Sequence, residues 1–363
     1  MQQRDPGRKH LLGPGGLRKS RYRVAVQTDG AATIGRTTLA DVAQLAGTSV
    51  PTASKVLRGG TDVSQATRLA VMAAVEATGY TARGGRRHRG TEPAMIDFVL
   101  SDVHGNWVHQ ALGGVERAAT AAGHDVVLTI ARRDGAWVQR VLRRSTAGAV
   151  IALVDPSAGQ LDVLHAAGRR FVLIDPMSRP PAHAASVGVT NWEGGRSAAE
   201  HLLAVGHRRF GAIGGDRSHL YSQARLDGFR SGLQAEPAAQ LVDTAWADWR
   251  REDAEAEAMR MLGRDDRPTA VFCCSDLMAI GVYDAARRLG IDVPGRLSVV
   301  GFDDLPEATW ATPPLTTVRQ PVSELGAAAV RMLLRLPDGD AAAPHVELAT
   351  ALVLRGSTAA PPA

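Results

Sequence analysis

Four aspartates stand at or just beyond the ends of short apolar runs: Asp102 after MIDFVL, Asp175 closing FVLID, Asp276 after AVFCC, and Asp303 closing LSVVGFD. A carboxylate accepts two directed hydrogen bonds from neighbouring hydroxyls, which is sugar-site chemistry. Parallel αβ sheets take their ligands outside the carboxyl ends of strands, where these four fall. The plain alternative is that each aspartate only caps the helix that follows. Arg225, in SQARLDGF, carries a planar fork that can serve two oxygens at once, or else lies on a solvated helix face. No enzyme signature accompanies them. The glycines of GAIGGD fall short of a dinucleotide fingerprint, and Walker-type, HExxH and GxSxG motifs are absent. The 11 histidines show no metal-ligand spacing. The expectation is a binding protein without catalytic activity, cofactor or metal.

A second kind of chemistry is written between Thr38 and Tyr80. Thr38 can cap a first helix, with Asp41 near capping-box spacing and Leu39, Val42, Ala43 and Ala46 recurring along one face. Gly47-Thr48-Ser49 makes a turn too short to fold the chain back. A second helix starts at Val50, with Pro51 in its first turn, where no backbone N–H is needed. Ser64 can cap a third helix, for which Leu69, Met72 and Val75 are expected to form the buried stripe. Two helices joined by a Gly-containing turn, closed by a third, describe either a plain small bundle or a helix-turn-helix.

Charge separates these readings. The formal net charge is +5, but residues 1–90 hold 15 Lys/Arg against 5 Asp/Glu, and the remainder 27 against 32. A basic module on a mildly acidic body suits a polyanion partner at one end. Cys273 and Cys274 are adjacent, so in a strand they face opposite ways; they read as buried, reduced residues of a cytoplasmic protein. No apolar run approaches a membrane span, and residues 1–23 lack the apolar core of a secretory signal.

The elements that must position the aspartates alternate. Strands are expected at 95–100, 125–130, 149–154, 171–175, 186–190, 211–215, 270–274 and 297–303. Amphipathic helices are expected at 107–122, 193–205, 221–235, 277–290 and 321–336. Such alternation over about 250 residues implies parallel sheets covered on both faces, divided into two subdomains with a cleft between. The expected fold is an all-α helix-turn-helix headpiece followed by an α/β body of two doubly wound parallel sheets. Residues 1–36 are expected to be a disordered basic extension, 37–80 the headpiece, 81–93 a linker and 357–363 a flexible tail.

The run LADVAQLAGTSVPTASKVL and the following VSQATRLAVMAAVEATGY resemble, without a gap, the DNA-binding headpiece of the lactose-repressor family. The resemblance implies a body of periplasmic sugar-binding type. Its first subdomain would comprise 94–187 and 317–340, and its second 188–316 and 341–356. It also implies a homodimeric repressor that reads a pseudopalindromic double-stranded operator and is released by a sugar effector. Two headpieces related by a dyad would read half-sites about 34 Å apart. Val50 and Pro51 match family positions that face base edges; neither makes bidentate hydrogen bonds, so readout there is apolar. Thr52, Ser54, Lys55 and Arg58 can bond bases or phosphates, although Ser54 can also bond within its helix. Thr38 and Ser49 complete the headpiece set, and Arg83, Arg86, Arg87 and Arg89 of the linker are assigned phosphates. In the linker the family pattern lapses. Ala82-Arg83 replaces Pro-Asn, Gly84-Gly85 weakens any hinge helix by about 1 kcal/mol per glycine, and Arg89 stands where a leucine wedges the minor groove. A sugar sensor without operator binding is therefore the alternative function. For the effector, the resemblance assigns Asp175, Arg225, Trp249, Ser275, Asp276 and Asp303, with Trp107 and Trp192 as further stacking candidates.

Overall fold

The computed structural model describes residues 37–57, 63–78, 80, 95–132, 134–337 and 343–362. The N-terminal extension and the linker with Arg83, Arg86, Arg87 and Arg89 lie outside them, as does Arg58. Residues up to 89 form one unit and residues from 90 another.

In the first unit, α1 (Leu39–Leu45), α2 (Val50–Leu57) and α3 (Gln65–Thr78) follow the local signals closely. Thr38 and Asp41 make a reciprocal capping box: the Thr38 hydroxyl accepts from the Asp41 N–H, and the Asp41 carboxylate accepts from the Thr38 N–H at 2.7 Å. Gly47 ends α1 with φ at +61°, a conformation that costs glycine nothing. Ser49 and Ser64 cap α2 and α3 by accepting from the N–H groups of Thr52 and Thr67, each at 3.2 Å. The core joins Val42 and Ala43 to Ala53, Val56, Val71 and Ala74. Here the expected stripe of α3 is corrected. Leu69 and Met72 are 64% and 52% exposed, and the buried side is Val71 and Ala74 with Val75 beside them. Both sets recur at helical spacing; the smaller one faces inward.

The body holds two six-stranded sheets. The first comprises β1 (Met95–Leu100), β2 (Asp125–Ile130), β3 (Ala149–Ala152), β4 (Phe171–Ile174), β5 (Ala185–Val189) and β11 (His345–Leu348), all parallel, in the order β11-β5-β4-β3-β1-β2. The second comprises β6 (Arg209–Gly214), β7 (Gln240–Trp246), β8 (Ala270–Cys273), β9 (Ser298–Asp303), β10 (Thr316–Arg319) and β12 (Ala351–Val353), in the order β12-β10-β9-β8-β6-β7. Only β12 runs antiparallel, against β10. The central strands are buried throughout, as parallel strands covered on both faces must be. In the first lobe α4 (Asn106–Ala121) and α12 (Val322–Arg335) cover one face; α5 (Trp137–Arg143) and α6 (Ala158–Ala166) cover the other. In the second lobe α7 (Asn191–Ala204) packs on α8 (Leu220–Leu233), and α9 (Arg251–Leu262) on α10 (Asp276–Arg288). A short α11 (Pro306–Trp310) follows β9. Among the described residues no helix is long and apolar enough to cross a membrane.

Three boundaries differ from expectation. The chain returns to the first lobe after Arg319, because β10 pairs with β9 along its full length. Residues 341–356 do not go to the second lobe as one piece: β11 joins β5 in the first sheet and β12 joins the second. The C-terminal residues are also not a loose tail. The Ser357 hydroxyl donates to the Val299 carbonyl at 2.6 Å and accepts from the Thr316 N–H at 2.8 Å, and the side chain is fully buried. Farther on, Ala359 is bonded to Ser298, and its carbonyl lies 2.9 Å from Nε2 of the buried His207. Small residues and prolines suggest flexibility, yet backbone pairing along a sheet needs no bulky side chain.

Candidate functional site

Arg225 is the centre of the body's polar interior. It sits on α8, which crosses α7 so closely that a Cβ on Gly195 would collide with the Arg225 carbonyl, and one on Gly228 with the Trp192 carbonyl. The crossing fixes the backbone, and the side chain, 3% exposed, runs inward to the carboxyl ends of the strands. Its Nε donates to Asn191 Oδ1 at 2.8 Å and its Nη1 to the Cys274 carbonyl at 2.6 Å. The same Nη1 reaches Asp303 Oδ1 at 3.3 Å, and Nη2 lies 3.9 Å from Asp175 Oδ2. Below the guanidinium lies the Phe302 ring, 3.9 Å from Cζ; Tyr221 and Trp249 stand at 5.4 and 5.8 Å. This is cation–π distance on three sides.

The two carboxylates are held at a cost. Asp175 and Asp303 have φ of +45° and +120°, and Trp249 has +58°. Such backbone strain in non-glycine residues persists where the surroundings over-determine it, and it clusters at functional sites. Asn191 Nδ2 donates to Asp175 Oδ1 at 3.0 Å, and Gln320 Nε2 donates to Asp303. Burial nonetheless raises the Asp175 carboxyl above its ordinary range, against the pull of Arg225 and Asn191. It pushes Asp303 up to about 7 despite Arg225 and Gln320.

Trp249 lies against Gly215, where a Cβ would clash with the indole. Its Nε1 donates to His219 Nδ1 at 3.1 Å, and its ring tilts onto Tyr221 with centroids 5.2 Å apart. Asp175, Arg225, Trp249 and Asp303 are therefore gathered in one place. Ser275 and Asp276 stand beside them with different duties. The Ser275 hydroxyl caps α10 by accepting from the Met278 N–H at 3.2 Å. Asp276 is completely buried, its carboxylate accepting from the Leu305 N–H at 2.8 Å and from the Thr317 hydroxyl, so it braces the loop after β9. Asp102 is exposed and bonds only its own turn, accepting from the His104 N–H at 2.7 Å. Trp107 packs on the first-lobe core, and Trp192 lies partly exposed under Arg196.

Sequence reasoning missed Asn191, His219, Tyr221, Phe302 and Gln320. Asn191 and Gln320 each follow the carboxyl end of a strand, as the aspartates do, but carry no charge. Tyr221 precedes Arg225 by four residues and so shares its helix face.

In the headpiece, α2 turns Ala53 and Val56 into the core and leaves Ser49, Val50, Pro51 and Lys55 exposed, with Thr52 and Ser54 at the boundary. The Thr38, Ser49 and Thr52 hydroxyls are already engaged in caps, the last two bonded to each other at 2.7 Å.

Residues 38–82 match the model of bacterial regulatory proteins of the lacI family, and residues 199–358 match a periplasmic binding protein-like domain. The HTH-type transcriptional regulator MalR of Streptomyces coelicolor is 36% identical over 345 residues, covering 90% of this chain and 98% of that protein. Among solved structures, a complex of the transcriptional regulator CelR with cellobiose superposes with a TM-score of 0.67 at 29% identity, covering 89% of this chain and all of that one. The lac repressor dimer bound to operator and the anti-inducer ONPF gives 0.68 at 28% identity, over 90% of this chain and all of that one. With a helix-turn-helix headpiece, a two-sheet body and this likeness along nearly its whole length, the chain belongs to the lacI family of DNA-binding transcriptional regulators.

Proposed function

We propose that the protein is a homodimeric repressor whose hold on a pseudopalindromic operator is released by an uncharged sugar bound around Arg225. The observation that carries this reading is the Arg225 cluster itself. One cation stands between two carboxylates, with amide partners at Asn191 and Gln320 and an aromatic wall of Tyr221 and Trp249. Such a set donates and accepts in several directions with no surplus positive charge, which suits hydroxyls better than an anion. Aromatic faces suit the C–H face of a sugar ring. The solved relative bound to cellobiose supports a sugar of this kind, and the lac repressor dimer on operator supports the DNA and dimer parts.

Asp175 belongs to the first lobe and Arg225, Trp249 and Asp303 to the second. A ligand that bonds both lobes binds best to one arrangement of them and shifts the population towards it. If that arrangement holds the two headpieces badly for the operator, sugar weakens DNA binding and DNA weakens sugar binding by the same factor, typically about 5- to 150-fold. At the DNA, Val50 and Pro51 present apolar surface to thymine methyls, while Lys55, Ser54 and the linker arginines serve bases and phosphates. Fluorescence anisotropy on DNA from the protein's own promoter region, at fixed salt with a sugar panel, tests the whole reading. Tight binding reversed by one sugar supports it; binding that no sugar alters removes the effector half, and the absence of specific binding removes the repressor half.

A further inference from the structure

A cavity of about 430 Å³ opens in the first lobe between the loop that follows β3 and the loop that follows β4. It is not the Arg225 cluster, none of whose side chains line it. Its floor is the buried trio Ile151, Leu161 and Leu173. Four prolines, Pro156, Pro176, Pro180 and Pro181, form much of its walls. Their fixed φ angles leave the walls little freedom to lose when something binds. The volume lies in the range of small-molecule sites, which are apolar cavities with a few placed polar groups.

Those polar groups are at the mouth. Ser178 donates to Asp155 Oδ1 at 2.6 Å, which holds the carboxylate in place and leaves Oδ2 as an acceptor. Arg179 is exposed and makes no hydrogen bond or ion pair among the described residues. An anion would meet Asp155 and a cation would meet Arg179, so neither is favoured. A hydroxyl suits either, donating to the carboxylate or accepting from the guanidinium.

The cavity also shares a wall with the Arg225 cluster. Within the segment 174–177, Ile174, Pro176 and Met177 line the cavity, while Asp175 bonds Asn191 and faces Arg225. The Met177 carbonyl accepts from the Leu220 N–H of the second lobe at 2.8 Å, at the start of the helix that carries Arg225. An occupant that fixes this segment fixes Asp175 and the bond between the lobes together. We infer that the cavity is a second small-molecule site for an uncharged, largely apolar molecule bearing a hydroxyl, a class that phenols probe, and that its occupancy strengthens effector binding at Arg225. The coupling rests on the effector reading above; the site itself does not.

The test is calorimetric titration of the full-length protein with 2-naphthol. The expected result is saturable binding of one molecule per chain, weakened about tenfold by Ala158→Trp, which fills the mouth, and about threefold by Arg179→Ala. Both positions are exposed, and unchanged thermal melting of each variant establishes that the fold survives. No saturable binding, or an affinity that neither variant alters, overturns the site. With 2-naphthol saturating, affinity for the sugar that releases DNA is expected to rise about threefold or more. Naphthol binding that leaves sugar affinity unchanged overturns the coupling. A protein that binds naphthol and no sugar refutes the effector reading instead, with the cavity assignment intact.

Discussion

Asp303 offers a quantity that can be worked from the structure. Burial raises its carboxyl from the ordinary 3.8 to about 7 in the folded protein, even with Arg225 and Gln320 beside it. A group whose folded pKa is raised binds its proton more tightly folded than unfolded. Its contribution to stability is complete below the unfolded value and is lost as pH rises through the folded one. Over the whole shift the linkage amounts to about 4 kcal/mol, of which about 2 to 3 kcal/mol disappears between pH 5 and pH 8. Asp303→Asn keeps the shape of the protonated acid and cannot ionise. Urea unfolding of both proteins at pH 5 and pH 8, followed by tryptophan fluorescence, gives the difference directly. At pH 5 the variant should already be the more stable by about 1 to 2 kcal/mol and at pH 8 by about 4 kcal/mol, so the gap widens by about 2 to 3 kcal/mol between them. Taking the difference between the proteins cancels the groups far from Asp303; Asp276, whose carboxyl is raised by burial and by the Asp303 charge, is relieved in the variant and widens the gap in the same direction. If wild type and variant show the same pH dependence, burial does not hold the proton on Asp303.

Four further outcomes are expected. Arg225→Lys keeps one positive charge but loses the bond from Nε to Asn191 and the fork that spans Cys274 and Asp303, so sugar affinity measured by calorimetry should fall by about 1 to 3 kcal/mol; unchanged affinity would remove Arg225 from the site. Replacing Arg83, Arg86, Arg87 and Arg89 by Gln should flatten the log–log salt dependence of DNA binding by about 0.9 per lost phosphate contact, and an unaltered slope would take the linker out of the interface. Ending the chain at Arg355 removes the Ser357 and Ala359 bonds and leaves the Val299 carbonyl and the Thr316 N–H without these partners; thermal unfolding of the body should show a loss of several kcal/mol, at about 1 to 3 per orphaned group. In the headpiece, Leu69→Gln should change stability by less than about 0.5 kcal/mol, whereas Leu at position 69 would have to cost about 2 or more if it lay in the core.

What the sequence disclosed and what it withheld divide along locality. Thr38 with Asp41, Gly47 and Ser64 act on residues within one turn of themselves, so caps and turns could be read before any folding. The apolar runs of the central strands are continuous because both faces are covered, and each came out where it was expected. The acids at strand ends followed from one geometric rule. Other features depend on partners far along the chain. HVEL at 345–348 is short and half polar, and only its pairing with β5 makes it a strand. Ser357 looks like tail until Val299 and Thr316 are brought beside it. Leu69 and Val71 belong to alternative stripes of one helix, and the choice is made by how closely α1 approaches. Asn191 and Gln320 carry no charge to draw notice, although they orient the residues that do.

The two lobes are joined where the chain passes between them three times, at 190, 320 and 349–350. Thr190 and Thr350 lace two of these passages, with hydroxyls 3.0 Å apart and the Thr350 N–H donating to Thr190 Oγ1 at 2.9 Å; Gln320 ties the third to Asp303. A single strand between lobes would leave a swivel free to turn about any axis. Three strands side by side act as a leaf spring, stiff to sliding and twisting and soft to one bend. On the proposed reading, little of the free energy of a sugar bound at Arg225 would dissipate in sideways wandering of the lobes. It would go into one coordinate, and a small closing angle at the spring would become a larger displacement at the far ends of the lobes.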